Sequence, residues 1–240
     1  MSRFFVGFAL WILLLAACGG DKGSSNPVAS TDSLASPCKT ETKDNCEYGT
    51  LTDDRDGRTY KTVKIGEQWW MAENLNYVTE AGSCCYNDSA EYCEKYGRFY
   101  RWTAAVGKSE KGCGFGWNCD LGDGKVRGVC PEGWHLPDTT EWKALFDAVG
   151  GDSTAGIMLK STEGWINNGN GSDSFEFSAL PAGFRYDGYF YHEGNFAYFW
   201  SSTEHDRSYA YFMFLDANIG KGYLNDYSKY NAFSVRCIKD

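Results

Sequence analysis

Alternating apolar and polar positions predict short β-strands along most of the chain. Residues 60–65, with sequence YKTVKI, show the period-two alternation of a half-buried strand, and 66–68 is predicted to be a turn leading into Trp69 and Trp70. Further aromatic or apolar segments, separated by Gly, Asn and Asp, are also predicted strands: 175–177, 189–191, 198–200, 209–214 and 233–237. This pattern is typical of short antiparallel strands joined by turns.

One segment is instead typical of an amphipathic α-helix. The sequence DTTE at 138–141 is a capping signal, in which Asp138 or Thr139 can accept hydrogen bonds from the first free backbone N–H groups. Apolar residues then follow at helical spacing, at positions 142, 145, 146 and 149. The glycine pair at 150–151 is predicted to end the helix.

The N-terminal residues 1–17 have the pattern of a bacterial export signal. Arg3 gives a positive start, and the apolar run at 4–17 has about 14 residues, fewer than the ~20 that a membrane-spanning helix needs. The run ends in LAAC at 15–18, which resembles the lipobox of bacterial lipoproteins, where the cysteine becomes the lipidated N-terminus. We therefore expect lipidation of Cys18, with ordinary cleavage that discards or frees this thiol as the alternative.

Charge and the residue after Cys18 indicate how the protein meets a membrane. Gly19 rather than Asp follows the cysteine, which by resemblance to the bacterial sorting rule favours the outer membrane. The formal net charge of −9 opposes adsorption to anionic lipids, so acyl chains such as palmitate must provide the attachment. We expect an outer-membrane protein on either the periplasmic or the cell-surface side.

Composition divides the mature chain into a tether and one folded domain. Residues 19–37 are small and polar and cannot bury a core, so 18–49 is predicted to be a lipidated N-terminus with a flexible tether. Residues 50–240 are rich in aromatic side chains, which make up 17% of the chain. We expect a single α+β domain there, with short antiparallel strands, one or two helices and long loops.

The same composition excludes a nucleic-acid partner. The chain has 23 Lys and Arg against 32 Asp and Glu, whereas binding to phosphate backbones requires a basic surface that releases counterions. The partners left to consider are the membrane, a polysaccharide and another surface protein.

The cysteines predict a disulfide framework. An exported chain enters an oxidising compartment, and local spacing pairs Cys38 with Cys46, Cys85 with Cys93 and Cys113 with Cys119. Cys130 and Cys237 would then close a loop of about 107 residues, and the cysteine left over is Cys84. A zinc site is the alternative, but no C-x2-C pair exists and the three histidines are not grouped near cysteine. We expect neither a metal nor a cofactor.

Few residues suggest catalysis. His135 lies between Trp134 and Leu136, where an imidazole that fixes a loop is a better interpretation than a general base. Glu73 and Glu141 suit structural hydrogen bonds. Two oxygen-rich segments, 53–57 and 167–173, leave calcium open as an alternative to plain turns.

Two tyrosine-rich segments, 184–194 and 220–231, have the composition of binding loops. The candidate ligand-contacting residues are Tyr186, Tyr189, Tyr191, Tyr223 and Tyr227. The alternative is that such rings fill the core, as we expect of Trp69, Trp134, Trp142 and Trp200.

Several motifs together resemble a known bacterial family. They are DRDGRTYKTVKIG at 54–66, QWWMAENLNY at 68–77, YGRFY at 96–100, VCPEGWHLP at 129–137, FSALPAGFR at 177–185, FWSSTE at 199–204 and SVRCIKD at 234–240. In this order they resemble the Fibrobacter succinogenes major paralogous domain, over about 52–240. The resemblance implies a secreted or lipid-anchored bacterial surface protein of unknown biochemical role.

The same motifs are distantly similar to the C-type-lectin-like fold, which the formylglycine-generating enzymes share. That similarity implies a disulfide-braced α+β domain and agrees with a Cys130–Cys237 bridge. Those enzymes use two cysteines near the C-terminus, and here only Cys237 lies in that region. We therefore do not extend their activity to this chain.

Three hypotheses follow for the function. The first is a lipid-anchored cell-surface domain that binds an extracellular polysaccharide or protein without catalysis. The second is a structural or assembly component of the outer membrane. The third, an enzyme on a scaffold like that of the formylglycine-generating enzymes, requires a thiol pair or converging histidine and carboxylate groups.

Overall fold

The structure, a computed structural model, describes residues 36–240. The predicted signal peptide 1–17, the predicted lipidation site Cys18 and the first part of the predicted tether lie outside the described residues. Across 36–240, no helix has the length and apolar character that crossing a bilayer demands.

Thirteen strands, five α-helices and one 3-10 helix make up the described chain. The strands are β1 (Tyr48–Thr52), β2 (Thr59–Ile65), β3 (Gln68–Met71), β4 (Ser83–Cys84), β5 (Phe99–Arg101), β6 (Trp134–His135), β7 (Phe184–Tyr186), β8 (Tyr189–Tyr191), β9 (Phe196–Glu204), β10 (Tyr209–Asp216), β11 (Gly222–Ser228), β12 (Ala232–Phe233) and β13 (Ile238–Lys239). The helices are α1 (Ala90–Tyr96), α2 (Trp102–Ala105), α3 (Glu110–Cys113), α4 (Thr139–Ala148) and α5 (Asp152–Leu159), and the 3-10 helix is Tyr86–Asp88.

The strands form three antiparallel sheets, so the predicted α+β class is confirmed. One sheet has the order β1-β2-β3-β13-β6, the second β11-β10-β9 and the third β4-β5-β12-β7-β8. The last strand of the chain thus lies between β3 and β6, and the second-to-last lies between β5 and β7. The C-terminal segment therefore joins the first and third sheets.

The predicted helix begins where its capping signal lies. The Asp138 side chain accepts hydrogen bonds from the backbone N–H groups of Thr140 and Glu141, and the Glu141 side chain accepts one from Asp138. This reciprocal arrangement is a capping box. Helix α4 then buries Trp142, which packs on Trp70 with ring centroids 5.0 Å apart.

Several local predictions are wrong. The segment 175–177 is not a strand, because Glu176 and Ser178 adopt positive φ and the buried Asp173 carboxylate binds Ser178 at its backbone N–H and its hydroxyl. Of the segment 233–237, only Phe233 lies in a strand, at the end of β12; Ser234 forms an isolated bridge with Phe199, and β13 begins only at Ile238. Trp69 is only half-buried, and its neighbour Trp70 is in the core instead, whereas Trp134, Trp142 and Trp200 are buried as predicted.

The cysteines pair as their spacing predicts. The structure contains the disulfides Cys38–Cys46, Cys85–Cys93, Cys113–Cys119 and Cys130–Cys237. Among the described residues, Cys84 is the one cysteine without a disulfide partner, and burial raises the pKa of its thiol.

The ordered domain begins earlier than residue 50. The backbone N–H of Lys39 donates to Ser174 at 3.0 Å, its side chain pairs with Glu176, and β1 already starts at Tyr48. Residues 38–49, which we assigned to the tether, are therefore joined to the domain by the Lys39 contacts and by β1, and the Cys38–Cys46 bridge closes residues 38–46 into a loop.

A buried guanidinium connects the C-terminal segment to the rest of the domain. Arg236 is fully buried and forms no ion pair within 36–240. Its nitrogens donate to Asn74 Oδ1 at 2.7 Å, to Ser178 O at 2.8 Å, to Met71 O at 3.2 Å and to Phe177 O. Burial lowers the pKa of Arg236 to about 9, so it remains charged at neutral pH.

Candidate functional site

An aromatic ladder crosses the outer face of the three-stranded sheet. Tyr198, Phe214 and Tyr223 are direct cross-strand partners on β9, β10 and β11. Their rings are nearly parallel, with centroids 6.0 Å apart for the first pair and 4.7 Å for the second. Because the rings stack on one another, their faces are largely covered, and we assign the ladder a supporting role.

Phe184 joins this ladder to a neighbouring hairpin. Its ring centroid lies 5.2 Å from that of Tyr198 on the ladder and 5.4 Å from that of Tyr191 on the hairpin. The backbone reinforces the connection, because Gly183 N donates to Phe196 O at 2.9 Å. A Cβ at position 183 would lie 2.1 Å from Tyr191 O, so glycine is required for this close approach.

The hairpin formed by β7 and β8 presents tyrosines on one face. Asp187 and Gly188 have φ of 48° and 83°, which makes a two-residue type I′ turn, and an Asp-Gly pair is a recognisable signal for it. Tyr186 pairs with Tyr189, while Phe184 pairs with Tyr191. Since opposed residues of antiparallel strands share a face, all four rings point the same way.

Four tyrosines on this side are open to solvent, and we call them the tyrosine face. Their exposed fractions are 45% for Tyr186, 67% for Tyr189, 39% for Tyr191 and 47% for Tyr227. The ring of Tyr227 meets Phe184 edge-on at 6.4 Å. Within 36–240 none of the four hydroxyl groups makes a hydrogen bond, so both rings and hydroxyls are available to a ligand.

Of the five predicted ligand-contacting residues, the structure brings four together on this face. The fifth, Tyr223, is half-buried in the ladder. The sequence did not identify Phe184 as a site residue. Its ring supports the tyrosine face by packing against both Tyr191 and Tyr198. Polar groups border the aromatic surface: Asn225 is exposed on the same side of β11, and the His192 ring stacks on Phe184 at 5.7 Å.

A separate cleft of about 580 Å³ lies among β2, the segment after β3 and α1. Two of its carboxylates have partners: Arg58 pairs with Glu94 at 3.0 Å, and Glu73 accepts the backbone N–H of Lys61 at 2.6 Å. The cleft is therefore polar and of mixed charge, in contrast to the tyrosine face.

The geometry around His135 is that of a structural residue. The imidazole is buried, with Nδ1 2.7 Å from Asp240 Oδ1 and Nε2 2.7 Å from Glu141 Oε1. Both nitrogens are thus engaged, and neither faces a cleft. Burial alone would raise the pKa of Glu141, but the hydrogen bonds from His135 and Asp138 N–H outweigh it and lower that pKa.

In the two oxygen-rich segments, 53–57 and 167–173, polar side chains are hydrogen-bonded to residues nearby in the sequence. Asp53 is buried and makes a bidentate pair with Arg55, with contacts of 2.6 and 2.8 Å. Asn170 Oδ1 accepts the backbone N–H of Trp165, and Asp173 binds Ser178. Within residues 36–240, no three His, Cys, Asp or Glu side chains are grouped so that they could hold a metal ion.

Comparison with known proteins addresses the family. Residues 63–239 match the model of the Fibrobacter succinogenes major domain. No curated protein and no solved structure matches the chain. The family match spans most of the chain and confirms the resemblance seen in its motifs. The chain therefore belongs to the Fibrobacter succinogenes major domain family.

Proposed function

We propose that this protein is a lipid-anchored component of the bacterial outer membrane that binds an extracellular polysaccharide without catalysing a reaction. The observation that carries the proposal is the tyrosine face, where four exposed rings with free hydroxyls are mounted on a rigid hairpin. An aromatic surface of this kind, bordered by polar groups, is a common feature of binding sites on soluble proteins.

The chemistry of the face suits sugar rings. The flat side of a sugar presents C–H groups that pack against an aromatic ring, while its hydroxyls need hydrogen-bond partners. Tyr189 and Tyr191 offer both, and Asn225 adds an exposed amide on the same side of β11 as Tyr227. Tyrosine also loses little conformational entropy on binding, because only two side-chain torsions are fixed.

The charge balance favours a neutral polymer over an acidic one. The chain carries a formal net charge of −9, and Asp187 lies at the tip of the hairpin. A polyanion would meet like charge there, which is costly in an interface. We therefore place neutral polysaccharides first among the substrates to be tested.

For the fold, we propose the C-type-lectin-like architecture. Three features support it: the last strand is inserted between β3 and β6, Cys237 is bridged back to Cys130 just before the WHLP segment, and helix α4 follows that segment directly. Fold similarity alone does not assign a ligand, so the functional proposal rests on the tyrosine face.

Export and lipidation are part of the same proposal. Four disulfides in a bacterial chain are expected in an oxidising compartment, which supports a location beyond the cytoplasm. The LAAC segment that ends at Cys18 provides the attachment site. An anchor of two or three acyl chains holds a protein stably at a membrane, whereas one chain does not.

We predict that Cys18→Ala abolishes lipid attachment. Cells supplied with an alkyne analogue of palmitate should incorporate label into the native protein and none into the variant, and only the native protein should partition into the detergent phase. Cys84→Ala serves as the matched control, because it removes a thiol that the disulfides do not use, and it should be labelled normally. Equal labelling of Cys18→Ala and native protein would contradict the anchor.

We also predict that Tyr189→Ala/Tyr191→Ala removes binding to the polysaccharide. The native protein should be retained on at least one insoluble neutral polysaccharide, and the double variant should be at least about tenfold weaker, since each stacked ring contributes on the order of 1 kcal/mol. Tyr209→Ala is the matched control. Tyr209 is 41% exposed, but on β10 it lies on the face opposite to the one that carries the aromatic ladder and Tyr227.

Retention of native protein and Tyr209→Ala, with loss of the double variant in a still-folded state, supports the proposal. Equal retention of all three proteins would place the binding site elsewhere. Failure of the native protein to bind any polymer would contradict the proposal and favour a protein partner or a structural role in the envelope. Crosslinking on intact cells would then identify the neighbouring protein.

A further inference from the structure

The cleft beside β2, which we call the polar cleft, contains a buried hydrogen-bond acceptor without a donor. Asn76 lines this cleft of about 580 Å³ and is only 6% exposed. Its Nδ2 donates to Cys93 O at 3.0 Å, which fixes the orientation of the amide, and its Oδ1 has no hydrogen-bond partner within 36–240. An unpaired buried acceptor is costly, so this oxygen favours a ligand that brings a donor.

The Tyr60 hydroxyl, which adjoins Asn76, is a donor without an acceptor. It accepts the backbone N–H of Asn76 at 3.1 Å, but its own O–H has no acceptor in the described part of the chain. Tyr60 is buried and lines the same cleft, and burial raises its pKa to about 12, so the proton stays in place at neutral pH. A donor and an acceptor side by side suit hydroxyl groups, which both donate and accept.

Two further side chains in the cleft suit a sugar ring. Glu73 Oε2 accepts the backbone N–H of Lys61 at 2.6 Å, which leaves Oε1 to accept a hydroxyl of a ligand. Tyr48 is 50% exposed, and its hydroxyl donates to Asp44 at 2.7 Å, which holds the ring in place beside the cleft. Planar polar groups next to an aromatic ring match the hydroxyls and the C–H surface of a sugar.

The charged side chains that line the cleft balance one another. Three are basic and three are acidic: Arg58, Lys61, Lys95, Glu73, Glu94 and Glu176. Lys61 and Glu73, one of each sign, form no ion pair within 36–240, and the other four do. Because neither sign is in excess, the lining favours a neutral ligand over an anion or a cation.

An exposed ion pair adjoins the Asn76 amide. Glu94 Oε1 lies 3.0 Å from Arg58 Nη2 and 3.5 Å from Asn76 Nδ2. Ion pairs between exposed side chains contribute little to stability, so a ligand displaces this one at low cost. Movement of Glu94 opens the buried amide to a hydroxyl in the cleft.

We propose that the polar cleft binds one neutral sugar unit, as a second saccharide site separate from the tyrosine face. Hydroxyls of the sugar donate to Asn76 Oδ1 and Glu73 Oε1 and accept from the Tyr60 hydroxyl, while its C–H surface packs on Tyr48. The volume of the cleft lies within the range of about 300–1,000 Å³ that is usual for small-molecule sites. A buried water is the simplest other occupant of the Asn76 and Tyr60 pair, but it makes no use of the Tyr48 ring.

The test is saturation-transfer NMR on the full native protein, purified in a detergent without a sugar headgroup. The probes are the methyl glycosides of glucose, galactose, mannose, xylose and N-acetylglucosamine. We expect the native protein to transfer saturation to at least one of them, and Tyr48→Ala to weaken its binding about tenfold. Glu73→Gln should also weaken it, because an amide N–H₂ replaces an acceptor, whereas Tyr48→Phe keeps the ring and should bind normally.

The two saccharide sites fail separately in this experiment. Tyr189→Ala/Tyr191→Ala should bind the glycoside as the native protein does, and Tyr48→Ala should still be retained on the insoluble polysaccharide. Absence of transfer to every glycoside would overturn the inference and leave the Asn76 and Tyr60 pair to water. Native affinity in folded Tyr48→Ala and Glu73→Gln would also overturn it, because the glycoside would then bind elsewhere.

Discussion

Replacing Arg236 with methionine is expected to cost on the order of 4 kcal/mol of unfolding free energy, or to prevent folding altogether. The guanidinium donates to three buried acceptors, on Met71, Asn74 and Phe177, and to the partly buried carbonyl of Ser178. Methionine fills much of the space but leaves these oxygens without a donor, and each buried polar group so orphaned costs about 1–3 kcal/mol.

Urea unfolding followed by near-UV circular dichroism measures this effect. Arg207→Met is the control, because Arg207 is exposed and its change should remain within about 0.5 kcal/mol. Arg236→Lys should recover little, since one ammonium cannot reach acceptors arranged around a planar group. A loss below about 1 kcal/mol for Arg236→Met would show that this buried cation does not hold the C-terminal segment in place.

Removing the Cys130–Cys237 disulfide is expected to be the most damaging change among the cysteine pairs. The bridge closes 107 residues, and loop-closure entropy predicts a loss of about 5 kcal/mol for the double alanine variant. The bridge between Cys38 and Cys46 closes only 8 residues, and its removal should cost about 2.5 kcal/mol.

The two double variants can be compared in the same urea experiment, with Cys84→Ala as a reference for the loss of a thiol without a bridge. We expect the unfolding free energy of Cys130→Ala/Cys237→Ala to be far lower than that of Cys38→Ala/Cys46→Ala. The latter should in turn be less stable than the reference. The reverse order for the two bridges would contradict the entropic explanation and point to native-state packing around Cys38 instead.

The sequence predicted those elements whose signals are local. Helix α4 forms because Asp138 and Glu141 cap each other, and both residues lie within one turn of the chain. Strand β2 forms where the alternation of 60–65 predicted it. The three short disulfides follow from spacing for the same reason, since each closes a loop of 8 residues or fewer.

Other features depend on contacts that no local pattern contains. Helix α5 was missed because its apolar residues are not confined to one side, and Gly156 is required there by the close approach of the Gly220 backbone. The tyrosine face is a similar case. Its segments were recognised singly, but the register of β7 with β8 and the packing of Phe184 decide which rings share a surface.

The most direct test of the central claim is hydroxyl-radical footprinting of the native protein with and without the polysaccharide that retains it. We predict that Tyr186, Tyr189, Tyr191 and Tyr227 lose reactivity in the presence of the polymer. Tyr209, whose exposure of 41% lies between those of Tyr191 and Tyr186, should not. Protection of the exposed Tyr48, which lines the polar cleft beside β2, or of Trp117 in the loop closed by Cys113–Cys119, with the tyrosine face still reactive, would contradict the account.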